Sequence, residues 1–301
     1  MKPWPIVGHQ WAVQQLQRAV AQDEVPHALL ITGPESVGKH TLAQHLVMAI
    51  LCNAQGDRPC GVCLSCRKVT SGNHPDFMTV APEERTAHLR IDEIRDVERF
   101  LALTPRESAK KVALVGDFER ATIGAANALL KTLEEPPGYA HIILLATDAD
   151  QLLPTIVSRS QQIALRPVVS REIAEALVSR WGVAPDMAQR LARLSGGRIG
   201  WAVRAATNPE AYERMQAALA MLLSVLRQDL PARFETAKTL SQDDDELAEV
   251  LEVWLTFWRD VLLIQSDSEA AIVHTEHRAT LEKIAAVIDV RQSADVLTAL
   301  E

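Results

Sequence analysis

The chain has 301 residues, 48% hydrophobic and 23% charged, with a formal net charge of −8 at pH 7. That length supports two or three compact units with a sizeable core, and the composition is that of a globular protein. The acidic balance argues against a protein that wraps nucleic acid by itself, because phosphate contacts need a basic face. Apolar runs as short as Ile142–Ala146 argue against a membrane partner, since a spanning helix needs about 20 apolar residues. The start, MKPWPIVGHQW, has no charged stretch followed by an apolar one. No signal peptide is expected, and the expected compartment is cytoplasmic.

In chain order, HALLIT (27–32) reads as a first buried strand. It feeds Gly33-Pro34-Glu35-Ser36-Val37-Gly38-Lys39, a G-x-x-x-x-G-K loop, and a helix over 39–52 follows. This is the setting of a phosphate loop: backbone N–H groups at the helix start cradle phosphates, and Lys39 reaches the β and γ oxygens. Gly33, Gly38, Lys39 and Thr41 are the candidate nucleotide-binding residues, for ATP or ADP. The loop has a flaw. His40 stands where the metal-binding hydroxyl normally sits, and Thr41 is one residue late, a rotation of roughly 100° on a helix. Magnesium prefers oxygen ligands, so His40 is a poor replacement. A vestigial loop that binds no nucleotide is the competing reading.

All four cysteines come next, Cys52, Cys60, Cys63 and Cys66, spaced C-x7-C-x2-C-x2-C. Thiolates two residues apart can share a tetrahedral zinc, and four of them close the site, so the metal would be structural. Two disulfides or an iron–sulfur cluster are the alternatives, the first disfavoured in a reducing cytosol. With four thiolates available, nearby His74 reads as a loop or core residue.

DFMTV (76–80), KVALVG (111–116) and HIILLAT (141–147) read as further buried strands, with helices over 91–102 and 121–134 between them. Strands alternating with helices imply a parallel sheet covered on both faces. Thr122 is the expected N-cap of the 121–134 helix, and Pro136-Pro137 its stop. In P-loop ATPases a later strand ends in acidic residues that hold the metal and polarise water. Here Lys111–Val115 runs into Gly116-Asp117-Phe118-Glu119. Gly116 takes the first acidic slot, and Asp117 is shorter than the usual Glu of the second.

From about 168 to 206 the strands stop, and SREIAEALVSRWG, APDMAQRLARLSGG and RIGWAVRAA read as three short helices. From 207 the text is helical: YERMQAALAMLLSVL and DELAEVLEVWLTFWRDVLLI carry apolar residues at helical spacing. The acidic cluster Asp243–Glu246 reads as the solvated first turn of a helix. The fold class expected is therefore α/β: a P-loop parallel-sheet domain over 1–167, with a zinc module inserted at about 52–66. A helical lid over 168–206 and an all-α domain over 207–301 follow, Asn208-Pro209 marking the boundary. The closing helix ends LTALE with no Gly, Asn or Pro cap, as expected of a chain that stops early or of a frayed end.

The phosphate loop, the four-cysteine module, GNHPDF (72–77), AANALLKTLEEPP (125–137) and LLPTIVSRS (152–160), in this order, resemble bacterial clamp-loader ATPase subunits of the AAA+ class. Within that class the resemblance is to the delta-prime branch of DNA polymerase III. It covers residues 4–206 by motif and the rest by helical texture. It implies an AAA+ module, a lid and a helical collar, in an assembly with gamma/tau and delta subunits that loads a sliding clamp on primed DNA. Ser158-Arg159-Ser160 matches the family's S-R-C motif with Ser160 in the Cys slot. The resemblance thus makes Arg159 an arginine finger acting in trans on a neighbour's ATP, a role worth about 10³–10⁵ in rate. The competing reading is a surface arginine ending a helix. Gly200 falls in the slot of the motors' nucleotide-sensing lid arginine, with Arg198 two residues away. Thr147 fits the polar slot after the fourth strand, and Asp148 departs from it. His40, Gly116 and Gly200 together imply a stator that hydrolyses no ATP. A gamma/tau-like motor ATPase and a zinc-stabilised AAA+ scaffold in DNA repair are the alternatives.

Overall fold

The computed structural model describes residues 4–82, 88–268 and 272–300. The chain divides into two compact units, residues 1–172 with 198–200, and residues 173–197 with 201–301.

The first unit is built on five strands: β1 (Ala28–Thr32), β2 (Phe77–Val80), β3 (Lys111–Val115), β4 (Ala140–Ala146) and β5 (Gln161–Ala164). Their order is β2-β3-β4-β1-β5, and every neighbouring pair is parallel. This is the parallel sheet of a P-loop AAA+ domain. β1, β3 and β4 are buried along their whole length, which is why they read as continuous apolar runs. The side-chain period of two sorts their residues onto two faces. Leu29, Ile31, Leu114 and Ile143 pack with α1 (Gln10–Gln22), α2 (Lys39–Leu51) and α3 (Leu64–Thr70). Leu30, Val115, Ile142 and Leu144 pack with α4 (Ile91–Ala102), α5 (Ile123–Glu134) and α6 (Pro154–Val157). Thr122 caps α5 as expected, its Oγ1 accepting the Ala125 N–H at 3.2 Å.

Helix α1 and edge strand β5 are additions to the sequence reading. Buried Ala12, Val13, Leu16 and Val20 do follow helical spacing in α1, among many glutamines. β5 buries only Ile163 of its four residues, so its segment QQIA carries too little apolar character to read as a strand.

Apart from the first residues of α7 and α9, the second unit holds α7 (Ser170–Trp181), α8 (Pro185–Leu194), α9 (Ile199–Thr207) and α10 (Pro209–Val225). It also holds α11 (Leu230–Leu240), α12 (Asp244–Gln265), α13 (Arg278–Val287) and α14 (Val290–Leu300). Asn208 caps α10 by accepting the Glu210 N–H at 3.1 Å, with Pro209 in the first turn. The core gathers Leu219, Leu222, Phe257, Trp258, Val261 and Leu281. Asp260, fully buried, accepts the Val273 and His274 N–H groups, so its charge is met by donors rather than left bare. Among the described residues no helix is long and apolar enough to cross a membrane.

Candidate functional site

The phosphate loop leaves β1 at Gly33, whose N–H donates to the Thr147 carbonyl at 3.1 Å. A Cβ on Gly33 would lie 2.6 Å from the Leu165 carbonyl oxygen, so only glycine lets the two backbones pass. Ser36 and Gly38 also have positive φ, 61° and 114°, and α2 begins at Lys39. The structure thus brings Gly33, Gly38 and Lys39 into one loop. His40 and Thr41 both lie exposed on the first turn of α2.

The loop's polar groups meet one another. Lys39 is buried, and its Nζ donates to the carbonyls of Gly33 at 2.5 Å and Pro34 at 3.0 Å. Burial pulls its pKa below the usual lysine value, opposed by the carboxylates of Glu119, Asp117 and Glu35. His9, also buried, donates from Nε2 to the Val37 carbonyl at 3.1 Å. Gly200 donates its N–H to the Ser36 carbonyl at 2.8 Å. A Cβ at Gly200 would lie 3.0 Å from that oxygen. Backbone therefore packs on backbone at Gly200.

At the end of β3, a Cβ on Gly116 would meet the Ala81 Cβ at 3.1 Å. Asp117 is exposed with φ 45°. The carboxylate that reaches inward is Glu119, two residues on: its Oε1 accepts the Thr147 N–H at 3.1 Å. Its Oε2 is buried with no hydrogen bond among the described residues. No local sequence pattern marks Glu119; the short 3-10 turn over 118–120 rotates it back toward the sheet. Thr147 Oγ1 donates to Gln151, and Asp148 caps the turn over 149–151.

Arg159 follows the four-residue helix α6. Its Nε and Nη2 both reach Glu134 Oε1, at 2.9 and 2.7 Å. Its Nη1 donates to the Thr155 carbonyl at 3.0 Å and faces Ser158 Oγ at 3.4 Å. The side chain keeps 35% of its surface exposed. Glu134 is the last residue of α5, so the LLKTLEEPP and SRS motifs touch. Ser160 turns inward, its hydroxyl donating to the Ile156 carbonyl.

The four cysteine sulfurs lie within 4.8 Å of one another. Cys52 and Cys63 are 3.9 Å apart, Cys60 and Cys66 4.0 Å. Tetrahedral sulfurs about 2.3 Å from a shared zinc stand about 3.8 Å apart, so the donor set fits a closed four-thiolate metal site. All four are free of disulfides. Backbone N–H groups already point at the sulfurs: Cys63 N–H at Cys60, Cys66 N–H at Cys63 and Cys60 N–H at Cys52. The N–H groups of Val62 and Cys63 lower the Cys60 thiol to about 6, while burial pushes the Cys66 thiol up. Metal binding would require all four as thiolates.

The profile of the family described as "DNA polymerase III, delta subunit" matches residues 8–169. DNA polymerase III subunit delta' of Escherichia coli is 34% identical over 230 residues, covering 72% of this chain and 69% of that one. The delta' subunit of Pseudomonas aeruginosa is 36% identical over 181 residues, and the match spans 55% of each chain. The tau subunit of Bacillus subtilis is 34% identical over 169 residues, covering 56% of this chain and 30% of that one. The chain belongs to the delta-prime family of DNA polymerase III clamp-loader subunits.

Proposed function

We propose that this chain is the stator of a clamp loader: it donates Arg159 to ATP held by a neighbouring gamma/tau-type subunit and hydrolyses no ATP itself. In this reading gamma/tau and delta subunits are its direct partners, and through them it acts on a sliding clamp and primed DNA in replication. The observation that carries the reading is the contact at Gly200. With its N–H on the Ser36 carbonyl and a Cβ there crowded to 3.0 Å from that oxygen, this lid position supplies no cation to a nucleotide. The exposed first turn of α2, with His40 in the hydroxyl slot, and Gly116 at the end of β3 support the same conclusion. ATP or ADP could be held only through the loop backbone and Lys39, once Nζ leaves the Gly33 and Pro34 carbonyls.

Arg159 has the properties a trans-acting group needs. A guanidinium is always charged, and its planar fork matches phosphate oxygens. Glu134 holds Nε and one Nη atom, orienting the plane without covering it. In the neighbour's transition state the charge spreading over the transferred phosphoryl is what such a cation stabilises. The four cysteines are assigned to structural zinc, held by Cys52, Cys60, Cys63 and Cys66. When bound there, the metal would cross-link the inserted segment, a structural role.

The test is Arg159→Ala in a loader reconstituted from all its subunits. ATP turnover at the site facing Arg159 falls, while the isolated chain, wild type or variant, releases no phosphate. Robust turnover by the isolated chain would instead favour the motor reading, which the tau likeness and the intact Gly38-Lys39 pair keep open.

A further inference from the structure

The motif GNHPDF is not accounted for by the loop or by Arg159. Two of its three polar side chains are among the most buried in the chain, His74 at 2% exposure and Asp76 at 0%. Their hydrogen bonds form a connected chain. The Asp76 N–H donates to His74 Nδ1 at 3.1 Å, so in the neutral ring Nε2 carries the proton. His74 Nε2 donates to Ser65 Oγ at 2.8 Å, and the Ser65 hydroxyl donates to the Leu51 carbonyl at 2.5 Å. That carbonyl belongs to the last residue of α2 and lacks a partner within the helix.

The two ends of this chain of bonds flank cysteines. Leu51 shares its peptide bond with Cys52, and Ser65 shares one with Cys66. These are the two buried cysteines of the four, at 6% and 1% exposure. The same hub reaches further. The Asp76 carboxylate accepts the N–H groups of Arg106, Glu107 and Ser108 at 2.7–2.8 Å. Lys68 on α3 pairs with Glu107. The segment over 106–108 is therefore tied both to Asp76 and to the helix that carries Cys66.

We propose that His74 is a positioning residue of the four-cysteine site. Through Ser65 and the Leu51 carbonyl it sets the relative placement of Cys52 and Cys66 before metal arrives, so that only the half-exposed Cys60 and Cys63 adjust. The proposal rests on the reading of the four cysteines as a metal site. A buried polar network of this kind carries its effect only when every member is satisfied. Removing the ring leaves the Ser65 hydroxyl without its donor and the Asp76 N–H without its acceptor.

The experiment uses the purified full chain with Zn²⁺, measured by elemental analysis and by competition with a chromophoric chelator. Co²⁺ in its place reads the coordination geometry by its visible spectrum. Wild type holds one metal per chain. His74→Ala and Ser65→Ala each weaken retention about tenfold or more, the effect of losing an outer-shell support, and shift the Co²⁺ spectrum. His74→Gln, which keeps an N–H near the Nε2 position, recovers part of the loss. Ser65→Ala removes only a hydroxyl, so it reports even if His74→Ala fails to fold. Leu129→Ala, in the core on the opposite face of the sheet, lowers stability and leaves the Co²⁺ spectrum unchanged. Wild-type retention in both His74→Ala and Ser65→Ala would overturn the proposal, as would an equal loss in Leu129→Ala. A wild-type chain that binds no metal would sink the metal reading and the proposal with it.

Discussion

Two places in the first unit carry groups suited to phosphate, and they treat those groups in opposite ways. In the phosphate loop the carbonyls are met from inside the protein: Gly33 and Pro34 by the Lys39 ammonium, Val37 by His9 and Ser36 by the Gly200 N–H. At the α5–α6 corner, Arg159 is held by the Glu134 carboxylate and the Thr155 carbonyl yet keeps about a third of its side-chain surface open. The loop is thus organised as a piece of core and the corner as a presented group. A phosphate loop's signature residues do not by themselves make a catalytic site. What counts is whether their donors remain free for a ligand, and here the freer cation lies outside the loop.

That contrast can be broken or sharpened by experiment. The largest effect belongs to Arg159→Ala. In the reconstituted loader, phosphate release at the facing site should fall by about 10³-fold or more, with the chain's own stability nearly unchanged because the pair with Glu134 is exposed. Lys39→Met should do the reverse. It strips the buried Gly33 carbonyl and the half-buried Pro34 carbonyl of their donor, at a cost of about 1–3 kcal/mol in urea unfolding, with loader turnover kept within about twofold. A loss of turnover matching that of Arg159→Ala would return the loop to catalysis. Gly200→Ala should cost about 1–3 kcal/mol, read as a lowered Tm, because the new Cβ crowds the Ser36 carbonyl. An unchanged Tm would show that this contact is loose.

The smallest effect separates the two places by pH. Burial lowers the pKa of His9 below its usual 6.5, against the opposing pull of the Val37 carbonyl and Glu172. Below about pH 6.5 the unfolded chain takes up this proton before the folded one does. Stability tied to His9 is therefore present above pH 6.5 and lost as pH falls from there, by no more than about 1.4 kcal/mol per pH unit. His9→Gln should flatten that part of the profile in urea unfolding between pH 7.5 and 5.5, and Arg159→Ala should leave it unaltered.

Much of this was legible in the residues. β1, β3 and β4 announce themselves because a strand covered on both faces must be apolar throughout. Thr122 and Asn208 mark helix starts because a short side-chain acceptor is what an open first turn lacks. The cysteine spacing indicates a closed site because ligands two residues apart can meet one metal. Other features were not legible. Glu119 looks like a surface residue until the 3-10 turn aims it at Thr147. The pairing of Glu134 with Arg159 joins residues 25 apart, and no local pattern records it.

Sequence alone determined the buried strands β1, β3 and β4, most of the helices, the glycines that let the loop turn, and the four thiols, because those depend on neighbours within a few positions; α1 and β5 escaped it. Tertiary structure decided where the polar groups point. It turned Lys39 inward and set Gly200 against Ser36. It also linked His74 through the Ser65 hydroxyl, one residue before Cys66, to the Leu51 carbonyl beside Cys52. Those outcomes rest on hydrogen bonds between segments distant in the chain, where a change of one partner's position leaves a buried group unsatisfied.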